Sequence, residues 1–304
     1  MNKITVSFDF GIGFFNGYEI SGLNLNSTAT VQTVLNYATG VLSGGDQIIL
    51  AGEGVRYFGT AANDVFTTGT KGIFEETLAL DGDDYLELGG GNDRFSAGKG
   101  NDTMLGEAGD DVLYGRSGND WISGGGGRDT LIGNEGDDRI LGGLRDDKLV
   151  GGYGNDRLVG NKGGDMLYGD DGDDRLVGGT GNDVLRGAAG LDKLYGGSGR
   201  DVLQGDYHKD ELYGGRGKDT LYGGKHDDIL TGGEGQDLLS GGTGSDIFVF
   251  DDVSGNDRIS DYQVGIDSIQ IGTTNEITTK VVSAGVRVFW GGRFSSSRRC
   301  FRCR

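Results

Sequence analysis

Proline is absent from this chain of 304 residues, and cysteine and histidine occur twice each. Without proline every residue can donate its N–H, so nothing of that kind interrupts a long β-ladder. Both cysteines, Cys300 and Cys303, lie in the last dozen residues, and one C-x-x-C pair supplies only half of a zinc site. No run of eighteen apolar residues exists, which excludes a hydrophobic membrane-spanning helix. There is no H-E-x-x-H and no G-x-S-x-G, and His208 and His226 sit at one repeat position without a partner acid–base pair. Positive charge is scarce as well. Against 47 Asp and Glu stand 28 Lys and Arg, and the net charge of −19 argues against nucleic acid or an anionic membrane as a direct partner. The first forty residues show no secretory signal, because Asp9 interrupts the apolar alternation Ile4, Val6, Phe8, Phe10 that follows a single Lys3.

What the chain has instead is glycine, 64 residues of it, and aspartate in strict phase. From Asp84 to Asp246 an Asp falls on every ninth residue, nineteen times, without insertion or deletion. An apolar residue always follows two positions later, from Leu86, Phe95 and Met104 to Phe248, and Gly stands two positions before in all but three units. From Gly106 to Gly241 a further Gly stands five positions before each Asp. A disordered Gly-rich linker has no reason to hold a hydrophobe at one phase of nine. Six residues of each unit read as a turn, and three, such as Val184-Leu185-Arg186, as a short strand whose middle residue points inward. Two units make one coil of turn, strand, turn, strand. Stacked coils then form two parallel sheets around an apolar ladder, and about nine of them at ~4.8 Å spacing give a rod of roughly 43 Å.

Alternate units go to opposite turn edges. One edge carries Asp84, Asp102, Asp120, Asp138, Asp156, Asp174, Asp192, Asp210, Asp228 and Asp246; the other carries Asp93, Asp111, Asp129, Asp147, Asp165, Asp183, Asp201, Asp219 and Asp237. Carboxylates stacked one coil apart repel, by on the order of 3 kcal/mol per pair at ~5 Å and an effective dielectric of ~20. Short strands around one Leu cannot offset that unaided, so a cation belongs between the turns. Ca²⁺ fits best, since it takes six to eight hard oxygens in a tolerant geometry; Mg²⁺ demands a stricter octahedron, and no EF-hand loop is present. Counting gaps gives an upper bound of roughly seventeen ions.

On these residues the chain resembles the repeats-in-toxin, or haemolysin-type calcium-binding, family, whose nonapeptide reads G-G-x-G-x-D-x-U-x. Gly178-Gly179-Thr180-Gly181-Asn182-Asp183-Val184-Leu185-Arg186 is a well-kept copy. The resemblance covers rather more than half the chain. It implies an all-β fold, a right-handed parallel β-roll (β-solenoid) with N- and C-terminal β capping segments, in which metal binding and folding are one event. It further implies several Ca²⁺ ions, type I secretion machinery as a partner, and an extracellular location reached without a cleaved N-terminal signal peptide.

The chain divides into an N-terminal β-rich cap (1–43), degenerate coils with a phase-reset loop (44–80), the roll (81–250), a C-terminal cap or secretion flank (251–292) and a basic tail (293–304). In 44–80 the Asp46/Ile48 and Asp64/Phe66 pairs stand eighteen apart, with Tyr57 between them. In the flank, Gly255-Asn256-Asp257-Arg258-Ile259 and Gly265-Ile266-Asp267-Ser268-Ile269 resemble the ending common in type I-secreted relatives. The tail holds five Arg and both cysteines, which departs from that pattern; a basic interaction tail and a frameshifted end both fit it.

The units are unequal. Arg145, His208 and His226 replace the Gly two before Asp147, Asp210 and Asp228, and the turn from Asp206 to Asp210 is the most eroded, so its ion is expected to be weak or missing. Arg128, Arg200, Lys209 and Lys218 should lower affinity beside them. Tyr114, Tyr168, Tyr195, Tyr213 and Tyr222 share the position after the inward Leu, where their rings either shield the sheet or meet a cell-surface or glycan partner; shielding is the simpler reading. The expected function is a secreted calcium-binding roll with a structural, surface or secretion-supporting role and no intrinsic catalysis. The alternative is the repeat portion of a larger secreted enzyme or toxin.

Overall fold

The computed structural model describes residues 47–51, 54–58, 65–67, 77–78, 81–250, 255–272, 277–282 and 285–290. The strands expected in residues 1–43 and the basic tail 293–304 lie outside them. From Gly54–Phe58 to Ser268–Ile271 consecutive strands alternate between a fifteen-stranded and a twelve-stranded sheet, and each pairs with the one two places on. Pairing through the roll is parallel and in register at one coil, as in Leu131, Leu149 and Leu167 on one sheet and Ile140, Leu158 and Leu176 on the other. This is the β-roll that the period of nine implies.

From Arg94–Lys99 to Ile247–Phe250 the strands are longer than three residues. Trp121–Gly126 and Thr130–Glu135 have six each, and only Gly127, Arg128 and Asp129 separate them. Burial explains the extra length: in Trp121–Gly126 both Ile122 and Gly124 face the interior, so the glycines that read as turn formers continue the period-two alternation of the strand. Between the sheets lies a single file of apolar side chains, from Leu86 to Phe248, with no more than 1% of any surface exposed. Each such residue contributes roughly 2 kcal/mol by leaving water.

Glycine is needed where coils touch. Gly118 adopts φ +127, and a Cβ there would collide with the Gly100 carbonyl of the neighbouring coil. The three substituted positions solve the problem differently, since Arg145, His208 and His226 sit at φ 79, 75 and 80, in the left-handed region that costs a side chain about 1–2 kcal/mol.

Both ends of the fifteen-stranded sheet finish in antiparallel hairpins. Gln47–Ala51 pairs with Gly54–Phe58, and Ile277–Val282 pairs with Gly285–Trp290, which docks on Arg258–Ile259. The first hairpin departs from the degenerate coil that Ile48 and Tyr57 suggest: these two are cross-strand partners rather than successive coil positions. Only Gly52 and Glu53 separate their strands, a length that closes a hairpin and is too short for a parallel return. Coiling does begin before residue 81, because Phe58 pairs with Leu78 and Phe66 with Leu86 in parallel, twenty residues apart.

Candidate metal centre

Each Asp precedes its strand by one residue and shares the inward register of the hydrophobe two positions on and the Gly four positions on. The carboxylates of Asp84 to Asp246 therefore line the two edges with their side chains turned into the roll, and none is more than 3% exposed. Each one bridges two coils. Asp102 Oδ1 accepts the N–H of Asp84 at 2.8 Å, Asp120 accepts that of Asp102, and the chain of bonds runs to Asp246, which accepts from Asp228 at 3.0 Å. The other edge repeats this from Asp111, accepting from Asp93, to Asp237, accepting from Asp219.

The ladders run further than the period of nine. Asp257 Oδ1 accepts the N–H of Asp237 at 2.9 Å, and Asp267 Oδ1 that of Asp246 at 3.2 Å, across steps of 20 and 21 residues. These two rungs fall outside the nineteen-Asp set because the spacing changes. Their signal is the retained Asp-x-Ile triplet in Asp257-Arg258-Ile259 and Asp267-Ser268-Ile269. Asp261 caps the end, accepting from Ser240 Oγ at 2.6 Å and from the amides of Gly241 and Gly242.

The second carboxylate oxygen is where the chemistry lies. From Asp102 to Asp246, and again at Asp257, Oδ2 is buried and has no hydrogen-bond partner. An orphaned buried acceptor is costly, and an ionised one more so. A neighbouring carbonyl shares the same space: a Cβ added to Gly106 would run into both Asp111 Oδ2 and the Gly124 carbonyl, and one on Gly115 into Asp120 Oδ2 and the Gly133 carbonyl. Among the described residues no three His, Cys, Asp or Glu side chains gather into a metal cluster. A cation at these edges would thus take carboxylate oxygen from the ladder and complete its shell from backbone carbonyls, a hard-oxygen set that suits Ca²⁺.

Without a cation, burial pushes the carboxyls up. Asp120, Asp174 and Asp210 rise to about 8, with the stacked neighbours adding to the effect and the amide donated from one coil away opposing it. Asp138, Asp147, Asp201 and Asp228 rise to about 7 for the same first reason. Erosion leaves the ladder intact. Asp210 and Asp228 stay buried in line, while the His208 and His226 rings stack at 5.5 Å and the His208 N–H donates to His226 Nδ1 at 3.1 Å.

A second ladder, on the outside of the turns, goes unmarked by the strict period. Asp or Asn precedes the buried Asp in eleven of the nineteen units. Asp83 Oδ1 accepts the N–H of Asn101, Asn92 Oδ1 that of Asp110, and Asp137 Oδ1 that of Asn155, in the sense opposite to the inner ladder. The five tyrosines are also divided: Tyr114, Tyr168 and Tyr222 lie on the fifteen-stranded sheet, Tyr195 and Tyr213 on the twelve-stranded one. They form no common surface.

A family model described as the RTX calcium-binding nonapeptide repeat (4 copies) matches residues 78–104, 96–131, 132–167, 168–203, 204–239, 213–248 and 222–259. A solved structure, the X-ray crystal structure of a hyperactive, Ca²⁺-dependent, β-helical antifreeze protein from an Antarctic bacterium, is 21% identical with a TM-score of 0.40, over 67% of this chain and 89% of that one. No curated protein matches. The matches to the repeat run without a break through the roll and its first flanking rung: the chain belongs to the RTX calcium-binding nonapeptide-repeat family, and its roll is a calcium-binding structural element.

Proposed function

We propose that the inner ladders from Asp84 to Asp246, extended by Asp257 and Asp267, are the calcium sites of this roll, and that filling them is what folds it. The observation that carries this reading is the file of buried, partnerless Oδ2 atoms from Asp102 to Asp246, several of which, such as those of Asp111 and Asp120, share their space with a backbone carbonyl of the next coil. Folding the roll without cations strands a row of carboxylates in a poorly solvated space, whereas each ion bound only by the native state adds RT ln(1 + [L]/Kd), about 2.7 kcal/mol at a hundredfold excess over Kd. The chain is then unfolded where calcium is low and locked where calcium is abundant. That property suits export by type I secretion machinery followed by folding outside the cell, with 81–250 as the roll and 251–292 as cap and secretion flank. The role is structural, at a surface or in support of secretion, and is carried out without catalysis by the repeats. Far-UV circular dichroism against calcium, with magnesium as control, tests it. A steep gain of β signal with calcium alone supports the reading; a chain folded in chelator at neutral pH, or unfolded in excess calcium, removes its basis.

A further inference from the structure

The outer face of the twelve-stranded sheet carries a column of cations in an acidic protein. Arg139, Arg157, Arg175 and Lys193 open four successive strands and are register partners rung by rung, so neighbours stand about one strand spacing, ~4.8 Å, apart. Like charges this close repel, and the chain as a whole is at −19, so counter-charges are plentiful elsewhere. Yet among the described residues Arg139 and Arg157 form no ion pair. Lys193 reaches Glu211 at 3.1 Å, and the Arg175 guanidinium lies over the Tyr195 ring at 4.2 Å from its centroid. The turn carboxylates beside the column, Asp137 and Asp173, accept the amides of Asn155 and Leu191 instead. The equivalent column on the opposite sheet reads Thr130, Lys148, Met166, Val184 and Val202, so the cations belong to this face and not to the repeat as such.

Alongside runs a parallel apolar column, Leu141, Val159 and Val177, which leads into Tyr195 and Tyr213, stacked at 4.9 Å and 6°. At the other end Trp121, the register partner of Arg139, is 53% exposed. The face therefore offers a narrow cationic track with an exposed aromatic ring, Trp121, at one end, and at the other a Tyr195 ring already covered by Arg175 and Tyr213.

We propose that this track binds a linear carboxylated polysaccharide, a chain of uronic acids lying along the axis of the roll. Its carboxylates would pair with Arg139, Arg157 and Arg175, and a sugar face would stack on Trp121. A pyranose unit advances by about one strand spacing, which brings carboxylates within reach of successive or alternate rungs. A track one residue wide between acidic turns suits a single chain better than an anionic membrane, which would meet the carboxylates as well. Single-stranded nucleic acid needs an aromatic platform at each base, and the middle rungs supply only Leu141, Val159 and Val177.

The proposal rests on the calcium-formed roll, so folding and binding are read on the same samples. Calcium-loaded full chain is titrated calorimetrically with a short oligogalacturonate, calcium being matched in both solutions, and with its methyl ester, anionic phospholipid vesicles and polyuridylate. The variant R139Q/R157Q/R175Q is compared with R94Q/K148Q/R186Q, which removes equal charge from the opposite sheet. We expect binding of the oligogalacturonate and not of its ester, weakened about tenfold or more by the first triple change and about twofold or less by the second, with unaltered calcium-dependent dichroism in both. A folded chain that ignores the oligogalacturonate, equal weakening by both triples, or tighter binding of vesicles or polyuridylate overturns the proposal. A chain that stays unfolded in calcium overturns the calcium reading, and this one with it.

Discussion

Two ladders of the same chemistry run along the turns of this roll, a residue apart in sequence, and they tolerate different things. The inner position is Asp in all nineteen units; the outer one is Asp or Asn in eleven and otherwise Arg, Lys, Gly, Leu, Gln or Ser. Both accept one backbone N–H from a neighbouring coil, at similar lengths: Asp174 accepts from Asp156 at 2.8 Å and Asp173 from Leu191 at 2.7 Å. Hydrogen bonding to the backbone therefore does not explain the difference. What separates them is the other oxygen. On the inner side, from Asp102 to Asp246, it is buried and partnerless, and on the outer side every Asp and Asn is exposed. The strictness of the phase of nine thus goes with this buried second oxygen rather than with the backbone bond, and it is the oxygen that we propose a cation meets.

The largest effect that would sharpen this comparison is reversal of pH dependence on removing calcium. In the calcium-free roll the inner carboxyls are raised from 3.8 to about 6 at Asp111 and Asp219 and to about 8 at Asp120 and Asp174. A carboxyl raised in the native state binds its proton more tightly there than in the unfolded chain. Its stabilising contribution is thus fully present below about 4 and is lost as pH climbs through about 6 to 8. Chelated protein should regain β signal on acidification from pH 8 to pH 5. Calcium-loaded protein should do the reverse, weakening as protons compete for the same oxygens. Dichroism that rises with pH in chelator would mean the inner carboxylates are not desolvated as their burial implies.

Next in size are paired alanine substitutions at one turn. Asp174→Ala removes the inner oxygen and should cost on the order of 3 kcal/mol in excess calcium, close to the linkage of one ion. Asp173→Ala removes one exposed acceptor and should cost about 1 kcal/mol or less. Urea midpoints in calcium measure both, and equal losses would erase the distinction between the ladders.

Much of this architecture is legible in the amino-acid sequence. The Asp-x-apolar phase dictates coil length, pairing partners and the alternation of sheets, because a parallel register at one coil is the arrangement that stacks Leu131 on Leu149 on Leu167. Three features are hidden by particular residues. Gly124 and its equivalents read as turn because glycine usually does, although they occupy the second inward place of a six-residue strand. Asp257 and Asp267 escape the period because two or three inserted residues break it while the backbone bond survives. The tyrosines look like one surface in the sequence, but successive units alternate sheets, so equal phase does not mean the same face.

A smaller perturbation reaches the inner ladder through its glycine. Gly187 lies under Asp192, and a Cβ there would strike the carboxylate. Gly187→Ala should cost about 1–3 kcal/mol by overpacking and also weaken calcium at that turn. The adjacent Ala188, at φ 84 and away from the ladder, offers the contrast. Ala188→Gly should be neutral or stabilising by up to about 1 kcal/mol, since it relieves a left-handed alanine. Thermal midpoints over a calcium series separate the two: both rise with calcium, but only for Gly187→Ala should the shift from the parent chain depend on calcium concentration.

The smallest effect tests whether the outer ladder can be extended at will. Leu191 occupies the outer position, 55% exposed, in a column where Asp173 below it already accepts its amide. An Asn at 191 would stand one coil from the amide of Lys209, placed as Asn182 is toward Arg200, whose N–H it receives at 2.8 Å. Leu191→Asn should therefore add one exposed side-chain-to-backbone bond and about 0.5–1 kcal/mol, with no change in calcium affinity. A gain accompanied by tighter calcium would couple the ladders, and the outer residues would then belong to the metal sites. A gain without it would leave the outer ladder as a mechanical tie between coils, which is why eight units can do without it while none dispenses with the inner Asp.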